Sequence, residues 1–331
     1  MIVVISHPDD PHAMRVIQLL KARGDDVLLL DLSTLPQQAS VTAEYDDCGV
    51  GRLDYRAGVA VSDLLAARSC WWRRPQAPVL PAAPNLDVHA FTHNEWQEAV
   101  NGIWQLMDCS WMNPPALDEV ASRKMLQLHV AAQMGLRIPR TLITSDPDAA
   151  RAFVAEQGVG RTIFKTFSCT HAIWRETRLL SERELGMIEH VRVAPVIFQE
   201  YIEAAADLRV TVVGDRIFPA SISAVGTDYE VDFRMSLGQA QTGACELPPA
   251  LSDMLFAFMR RLGLVYGAID LRRTPSGDYV FLEVNTAGEF LFVEERTGQP
   301  ITAAVADWLA RPGSLPRAER RRPLALEMTA S

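Results

Sequence analysis

Cysteine is scarce and scattered in this chain: Cys48, Cys70, Cys109, Cys169 and Cys245 are odd in number among 331 residues and form no CxxC pair. That argues against a disulfide framework or a zinc ribbon and fits a reducing compartment. No apolar run reaches transmembrane length, and the N-terminus MIVVISHPDD lacks a basic stretch and meets a polar break after five residues. It reads as a first strand, not a signal peptide, so the expectation is a cytoplasmic protein with no membrane partner. Excess positive charge is missing too: 32 Lys and Arg against 41 Asp and Glu give a net charge of −9. A general affinity for nucleic acid is therefore not expected. No internal repeat is present. What remains is a soluble globular composition, 48% hydrophobic and 22% charged, at a length that supports two or three subdomains with their own cores.

Residues 264–290, LVYGAIDLRRTPSGDYVFLEVNTAGEF, are the stretch around which the chain is organised. Residues 265–271 are apolar and short, Pro275-Ser276-Gly277-Asp278 is strong turn chemistry, and 279–284 is an aromatic and β-branched run. The spacing predicts a hairpin. Residues equidistant from the turn face one another across an antiparallel pair, and alternate residues share a face. Asp270 is thereby expected beside Glu283, with Glu283 and Asn285 pointing the same way. Facing carboxylates repel without a cation. Three oxygen-bearing side chains at the end of an apolar hairpin suit Mg²⁺, which takes one or two carboxylates and fills its other places with water and phosphate oxygens. Ordinary polar strand ends are the weaker alternative, because Asp and Asn are poor strand residues.

Upstream, 2–5 is a buried-type strand. Asp9-Asp10-Pro11 offers caps and a first-turn proline for a helix to about Arg23, and 27–31 is a second buried strand. Together they predict a βαβ unit. His7-Pro8-Asp9-Asp10 resembles a metal-ligating tetrapeptide of zinc-dependent N-deacetylases. The later His-containing segment of those enzymes is missing, His89 and His93 do not match it, and cap chemistry is the favoured reading. Residues 41–61 alternate, with Gly49, Gly51 and Gly58 as breakers, and predict a hairpin. A strand over 69–76 ends in Arg73 and Arg74, which suit either an anion or solvent, while Trp71 and Trp72 read as packing.

Residues 87–107 have helical spacing, and a short strand from Trp111 stops at a Pro pair, where the first domain boundary falls. Ser122 is the expected cap of a helix to Gly135, 138–144 is extended, 148–157 is a helix, and 161–167 is a strand with Lys165 at its centre. A lysine in an apolar strand is costly unless it meets an anion, edge snorkelling being the alternative. The pattern continues with a helix over 182–191 and a strand over 196–203 that turns polar at its end. A Gly-Asp hairpin over 207–218, the loop triad Asp232-Phe233-Arg234 and a helix over 251–262 follow. The tail after Pro312 is rich in Arg, Pro and Ala and is expected to be disordered.

In this order, Lys124, Lys165, QEYIE (199–203), DLR (207–209), DFR (232–234), AID (268–270) and FLEVN (281–285) resemble the ATP-grasp ligases. WWRRP (71–75) and residues 122–144 and 284–309 narrow the resemblance to the microviridin-type peptide maturases, or graspetide synthetases, which make ω-ester and ω-amide crosslinks. The resemblance implies an α/β (α+β) ATP-grasp fold. Its parts would be an N-terminal βαβ pre-ATP-grasp domain (1–115), a central lid subdomain (116–200), a C-terminal antiparallel-sheet catalytic subdomain (201–312) and the tail (313–331).

It also implies ATP and Mg²⁺ as cofactors. Lys124 and Lys165 would meet the nucleotide phosphates, and Gln199, Glu200, Tyr201 and Ile202 would lie along the adenine-reading segment, with Glu203 near the ribose. Arg209 would face the γ-phosphate and acyl-phosphate, and Asp270, Glu283 and Asn285 would hold Mg²⁺. Arg234 would grip the substrate carboxylate in bidentate fashion and Asp232 would act as general base, a loop salt bridge being the alternative for that pair.

Such enzymes phosphorylate a carboxylate and let a nucleophile displace the phosphate. The implied partner is a precursor peptide, leader plus core, whose Asp or Glu side chains are joined to Ser or Thr hydroxyls or Lys amines. Addition of a free amino acid to a carboxylate is an alternative reaction. A silent peptide-binding protein is a third reading, disfavoured because the charged positions are intact. Relatives suggest a homodimer. Two departures stand out. Residues 166–172, TFSCTHA, lack the glycines that many ATP-grasp enzymes place there, and Ala204-Ala205-Ala206 replaces a segment that often carries a lysine in the maturases.

Overall fold

The computed structural model describes residues 1–167, 177–223, 238 and 240–312. The readings of Asp232-Phe233-Arg234, of most of 166–172 and of the tail lie outside the described residues. The chain divides into two units, one formed by Met1–Met112 with the residues from Ala303 on, the other by Asn113–Thr302. Among the described residues no helix is long and apolar enough to cross a membrane.

In the first unit, β1 (Ile2–Ile5) is buried along its whole length and leads into α1 (Pro11–Ala22). The Asp10 carboxylate accepts the His12 N–H at 3.0 Å and Pro11 occupies the first turn, so the cap reading of HPDD is the one observed. β2 (Val27–Leu30) pairs with β1 in parallel, as the βαβ pattern predicts. β3 (Ala39–Asp46), β4 (Gly49–Ala57) and β5 (Ala60–Asp63) form an antiparallel three-stranded sheet where a single hairpin is expected. The reason is a second turn at Gly58, whose φ of 59° suits glycine.

β6 (Ser69–Trp72), α2 (Leu86–Leu106) and β7 (Ser110–Met112) complete a parallel sheet of order β2-β1-β6-β7. The strand expected to reach residue 76 stops at Trp72. Arg73 is 0% exposed and its Nε donates to Asp10 Oδ2 at 3.0 Å, so the anion it meets is the helix cap itself. Burial pushes the Asp10 carboxyl up, but the Arg73 guanidinium together with His12 outweighs it and leaves the pKa below its ordinary value. The packing reading of the tryptophans holds: Trp72 and Trp104 meet edge to face at 5.6 Å.

The second unit runs α3 (Pro115–Ala121), α4 (Lys124–Gln133), β8 (Thr141–Thr144), α5 (Pro147–Gln157), β9 (Thr162–Lys165), β10 (Arg178–Leu179), α6 (Glu182–Leu185) and β11 (Val196–Glu200). It continues through β12 (Ala206–Val213), β13 (Arg216–Ser223), β14 (Gln241–Ala244), α7 (Pro249–Leu262), β15 (Tyr266–Arg273), β16 (Tyr279–Asn285) and α8 (Leu291–Thr297). The last element among the described residues is α9 (Ile301–Ala310), where the Leu309 carbonyl accepts the Ser69 hydroxyl at 2.7 Å.

Ser122 does not cap the helix that follows it. It ends α3, and Arg123 precedes α4 without a side-chain cap. Pro114-Pro115 therefore starts a helix instead of only ending a strand, Pro115 sitting in the first turn where its missing N–H costs nothing. The helix over 182–191 is also shorter than expected: a capping box of Ser181 and Glu184 opens α6, and Gly186 closes it after one turn.

Two sheets result, β10-β9-β11-β8 and β14-β13-β12-β15-β16. β12 is buried at every residue, and Leu255, Phe258 and Leu262 of α7 pack with α4 residues into the core that includes Leu208, Val210, Ile269 and Phe281. Phe258 and Phe281 meet at 4.9 Å between ring centroids. Full burial of such a side chain contributes about 1.5–3 kcal/mol, which anchors the hairpin β15–β16 from below.

Candidate functional site

The hairpin forms as the sequence predicts. Asp270 stands opposite Glu283 and Ala268 opposite Asn285, with a register shift between Asp270 and Leu271. Asp270, Glu283 and Asn285 all line a cleft of 330 Å³ within the second unit. From the other elements the cleft receives Lys124 at the start of α4, Lys165 at the end of β9, and Gln199, Glu200 and Ile202 where β11 runs out. Lys165 is the last residue of its strand, not its centre. Sequence positions more than 150 apart therefore converge on one cavity.

The charges in the cleft are paired across it. Lys124 Nζ forms an ion pair with Glu283 Oε2. Arg209 lies opposite Asp270 in the β12–β15 register, and its Nη1 stands 3.1 Å from Asp270 Oδ1. Each carboxylate thus has a cation beside it, which answers the repulsion that facing acids would suffer. The oxygen-donor set of two carboxylates and the Asn285 amide fits a hard divalent cation. Among the described residues no cluster of three or more His, Cys, Asp or Glu that could hold a metal forms; a cation taken up here would have the Asn285 amide as its third donor. The Asn285 Oδ1 also accepts the Ala287 N–H at 3.0 Å, which fixes the chain just beyond the strand.

The 199–203 segment is divided in its exposure. The Gln199 side chain is buried and donates to Thr141 Oγ1 at 2.8 Å. The N–H of Glu200 binds the Arg140 carbonyl at 2.9 Å and that of Tyr201 binds the Arg161 carbonyl at 2.8 Å. Ile202 lines the cleft, whereas Tyr201 and Glu203 do not, Glu203 being exposed.

Several residues that hold this site have no signal in a linear reading. Gln127, 2% exposed, donates from Nε2 to the carbonyls of Ala121 at 2.8 Å and Val284 at 2.9 Å and accepts the Val284 N–H at 3.0 Å. It thereby ties α4 to the residue between Glu283 and Asn285. Asn113 adopts a φ of 58°, a left-handed conformation that Asn tolerates. Its Oδ1 accepts the N–H groups of Val265 and Tyr266, and its Nδ2 donates to the carbonyls of Tyr266 at 2.9 Å and Thr286 at 3.0 Å. Asp118 shares this network, and burial pushes its pKa up from 3.8 to about 6 despite hydrogen bonds with Thr286 and Asn113. Gly288 follows, where an added Cβ would meet Ala268 Cβ at 2.3 Å, so only glycine lets the loop approach β15 this closely.

Residues 121–309 match the RimK-like ATP-grasp domain family. Among solved structures, the macrocyclase MdnC bound with precursor peptide MdnA, from Microcystis aeruginosa MRC, superposes with a TM-score of 0.83 at 28% identity, over 93% of this chain and 98% of that one. The ATP-grasp ligase PsnB, complexed with a phosphomimetic variant of a minimal precursor, Mg and ADP, gives 0.74 at 26% identity over 93% and 97%. A probable alpha-L-glutamate ligase of Shewanella sp. (strain ANA-3) is 27% identical over 60% of this chain and 66% of its own length. The chain thus spans just under two thirds of that curated relative.

Proposed function

We propose that this chain, which belongs to the RimK-like ATP-grasp family, activates Asp or Glu side chains of a ribosomal precursor peptide and joins them to Ser or Thr hydroxyls or Lys amines of the same peptide. It is an ATP-grasp ligase of α/β fold, and ATP and Mg²⁺ are its cofactors. The proposal concerns what it joins. The observation that carries it is the extent of likeness to MdnC, 93% of this chain and 98% of that one at a TM-score of 0.83. At 93% of the chain, that likeness extends well beyond the 121–309 family domain.

In this reading Lys124 and Lys165 meet the nucleotide phosphates, Arg209 faces the transferring group, and Asp270, Glu283 and Asn285 hold Mg²⁺, which supplies charge neutralisation at the phosphates. The base lies along 199–203. The N–H groups of Glu200 and Tyr201 are bonded to the carbonyls of Arg140 and Arg161, so the backbone at Ile202, which lines the cleft, is assigned to read it, and exposed Glu203 is assigned to the ribose at the rim. A lid of 116–200 and a catalytic subdomain of 201–312 follow an N-terminal domain of 1–115. Arg234 grips the substrate carboxylate. That carboxylate bonds the γ-phosphorus as ADP leaves; the peptide hydroxyl or amine then attacks the acyl carbon, phosphate departs, and Asp232 takes the proton. A homodimer is part of the proposal, to be tested by light scattering.

The test is mass spectrometry of a precursor peptide incubated with enzyme, ATP and Mg²⁺. Loss of one or more waters supports ring closure. A gain of amino-acid mass supports the second reading, addition of a free amino acid, which the likeness to the glutamate ligase favours. Absence of ADP formation with every candidate peptide and amino acid would count against both. Glu283→Gln is expected to abolish ADP release while the circular dichroism of the fold is kept; a variant that keeps turnover would sink the metal assignment.

A further inference from the structure

Arg272 lies on β15 two residues beyond Asp270, is 6% exposed, and has no part in the roles given above. Its Nε donates to Asp207 Oδ1 at 2.8 Å and its Nη2 to Asp207 Oδ2 at 3.3 Å, the two residues facing each other directly across β12 and β15. Such a two-pronged bond fixes the plane of the guanidinium. Held in that plane, Nη1 donates to the Ile202 carbonyl at 2.9 Å, and the guanidinium carbon stands 5.7 Å from the Tyr201 ring centroid.

Residues 201–205 leave one sheet and enter the other, and they are tied at both ends. The Tyr201 N–H is bound to Arg161 beside β9, and the Ala205 N–H is bound to the Arg273 carbonyl at 2.8 Å. Between those ties, the bond to Arg272 fixes the carbonyl of Ile202, a residue that lines the cleft. Asp270 and Arg272 are alternate residues of one strand and both line the cleft as well.

We propose that Arg272 is a positioning residue: it holds the base-reading backbone of Ile202 at a fixed distance from Asp270, so that one strand sets both ends of the nucleotide site. The inference rests on the nucleotide reading above. A lysine here keeps the charge but replaces the planar fork with a point donor that cannot bond Asp207 twice and Ile202 as well. A neutral residue alone would take the guanidinium away from the Asp207 carboxylate, which is 4% exposed. The informative variants are therefore Arg272→Lys and the double change Asp207→Asn/Arg272→Gln.

The experiment is calorimetric titration of the full chain, in Mg²⁺, with ADP and with inorganic tripolyphosphate, together with competition of ATP against GTP. In both variants ADP is expected to weaken by about ten-fold or more, the loss of a hydrogen bond to a charged group, and discrimination between ATP and GTP narrows. Tripolyphosphate, which has no base to place, is expected to change by less than about two-fold, its contacts being with the phosphate half alone. Equal weakening of tripolyphosphate and ADP would overturn the inference, because Arg272 would then act on phosphate. Unchanged ADP affinity and unchanged discrimination in folded variants would overturn it too, leaving the pair a purely structural one. Failure of the wild type to bind either ADP or ATP would bring down the nucleotide reading itself and this inference with it.

Discussion

Replacing Lys124 with methionine separates two ligands that a single ion pair ties together. Lys124 and Glu283 are 24% and 23% exposed as side chains and paired across the cleft. Without a divalent cation the ammonium compensates the Glu283 carboxylate, as Arg209 does for Asp270 at 3.1 Å. A metal taking the proposed seat alone must displace it. At about 4 Å and an effective dielectric of about 20 the attraction is about 4 kcal/mol before solvation is counted, and exposed pairs retain about 0–1 kcal/mol of such a figure. A partly buried pair that retains about 1.4 kcal/mol predicts that Lys124→Met binds Mn²⁺, in the absence of nucleotide, about ten-fold more tightly than wild type. On the proposed nucleotide reading, the same change removes a charged donor from the phosphates. A hydrogen bond to a charged group is worth about 1.5–3 kcal/mol, so ADP should bind about 10- to 150-fold more weakly. Electron paramagnetic resonance of free Mn²⁺ and calorimetry of ADP read the two, with Glu283→Gln as the variant that loses the metal site. Unchanged or weaker Mn²⁺ binding by Lys124→Met would refute the reasoning, because Lys124 would not then compete with the metal for Glu283. Unchanged ADP affinity would remove Lys124 from the phosphate contacts.

Three further outcomes are expected. The Asp118 pKa is raised by burial from 3.8 to about 6, so between about pH 4 and pH 6 the folded state binds the proton more readily than the unfolded chain and stability falls as pH rises through that window. Asp118→Asn should therefore gain melting temperature relative to wild type at pH 7.5 and lose that advantage at low pH; parallel profiles would contradict it. Phe281→Ala empties a fully buried position against Phe258 and should cost about 3–5 kcal/mol in urea unfolding, whereas a loss near zero would mean that the hairpin is not anchored there. Cys48 is exposed while Cys70 and Cys109 are buried, and burial pushes the Cys70 thiol well up. A thiol reagent should therefore label Cys48 in the native state and reach Cys70 and Cys109 only on unfolding, as peptide mapping after a short pulse would reveal.

The parts legible in the sequence are those whose physics is local. The hairpin at 264–290 declares itself by turn chemistry and by carboxylates set against an apolar pattern, and Asp270 does fall opposite Glu283. The βαβ start at 2–31 and the helix near 251–262 follow equally from periodicity and caps. Sequence and structure part where one residue type serves two ends. The pair Pro114-Pro115 reads as a stop but starts a helix, and Ser122 closes that helix instead of opening the next. The choice between anion and solvent for Arg73 is not local, because Asp10, to which its Nε donates, is 63 positions away. Gln127 and Asn113 gave no signal for the same reason: Gln127 binds Val284 and Asn113 binds Thr286, at separations of 157 and 173 positions. No window of helical or strand length contains both partners of such a bond.

This division between local and distant has a functional counterpart. The charged pairs Lys124–Glu283 and Arg209–Asp270 join groups that are proposed to part when nucleotide and metal enter, the cations to phosphate and the carboxylates to the ion. The bonds beneath them are neutral and have no reason to change. Gln127 makes three to the backbone, two of them to Val284 between the ligands. Charge can then be redistributed over a backbone that stays where it is, which is what preorganisation requires. Gln127→Leu should accordingly behave unlike Lys124→Met. It leaves the Val284 N–H and two carbonyls without this partner, at about 1–3 kcal/mol for each group that stays buried and unsatisfied, and it loosens the proposed seat of metal and nucleotide alike. Mn²⁺ and ADP should both weaken in the titrations that move in opposite directions for Lys124→Met. If Gln127→Leu instead reproduced the opposite signs, the distinction between neutral scaffold and mobile charge would be wrong.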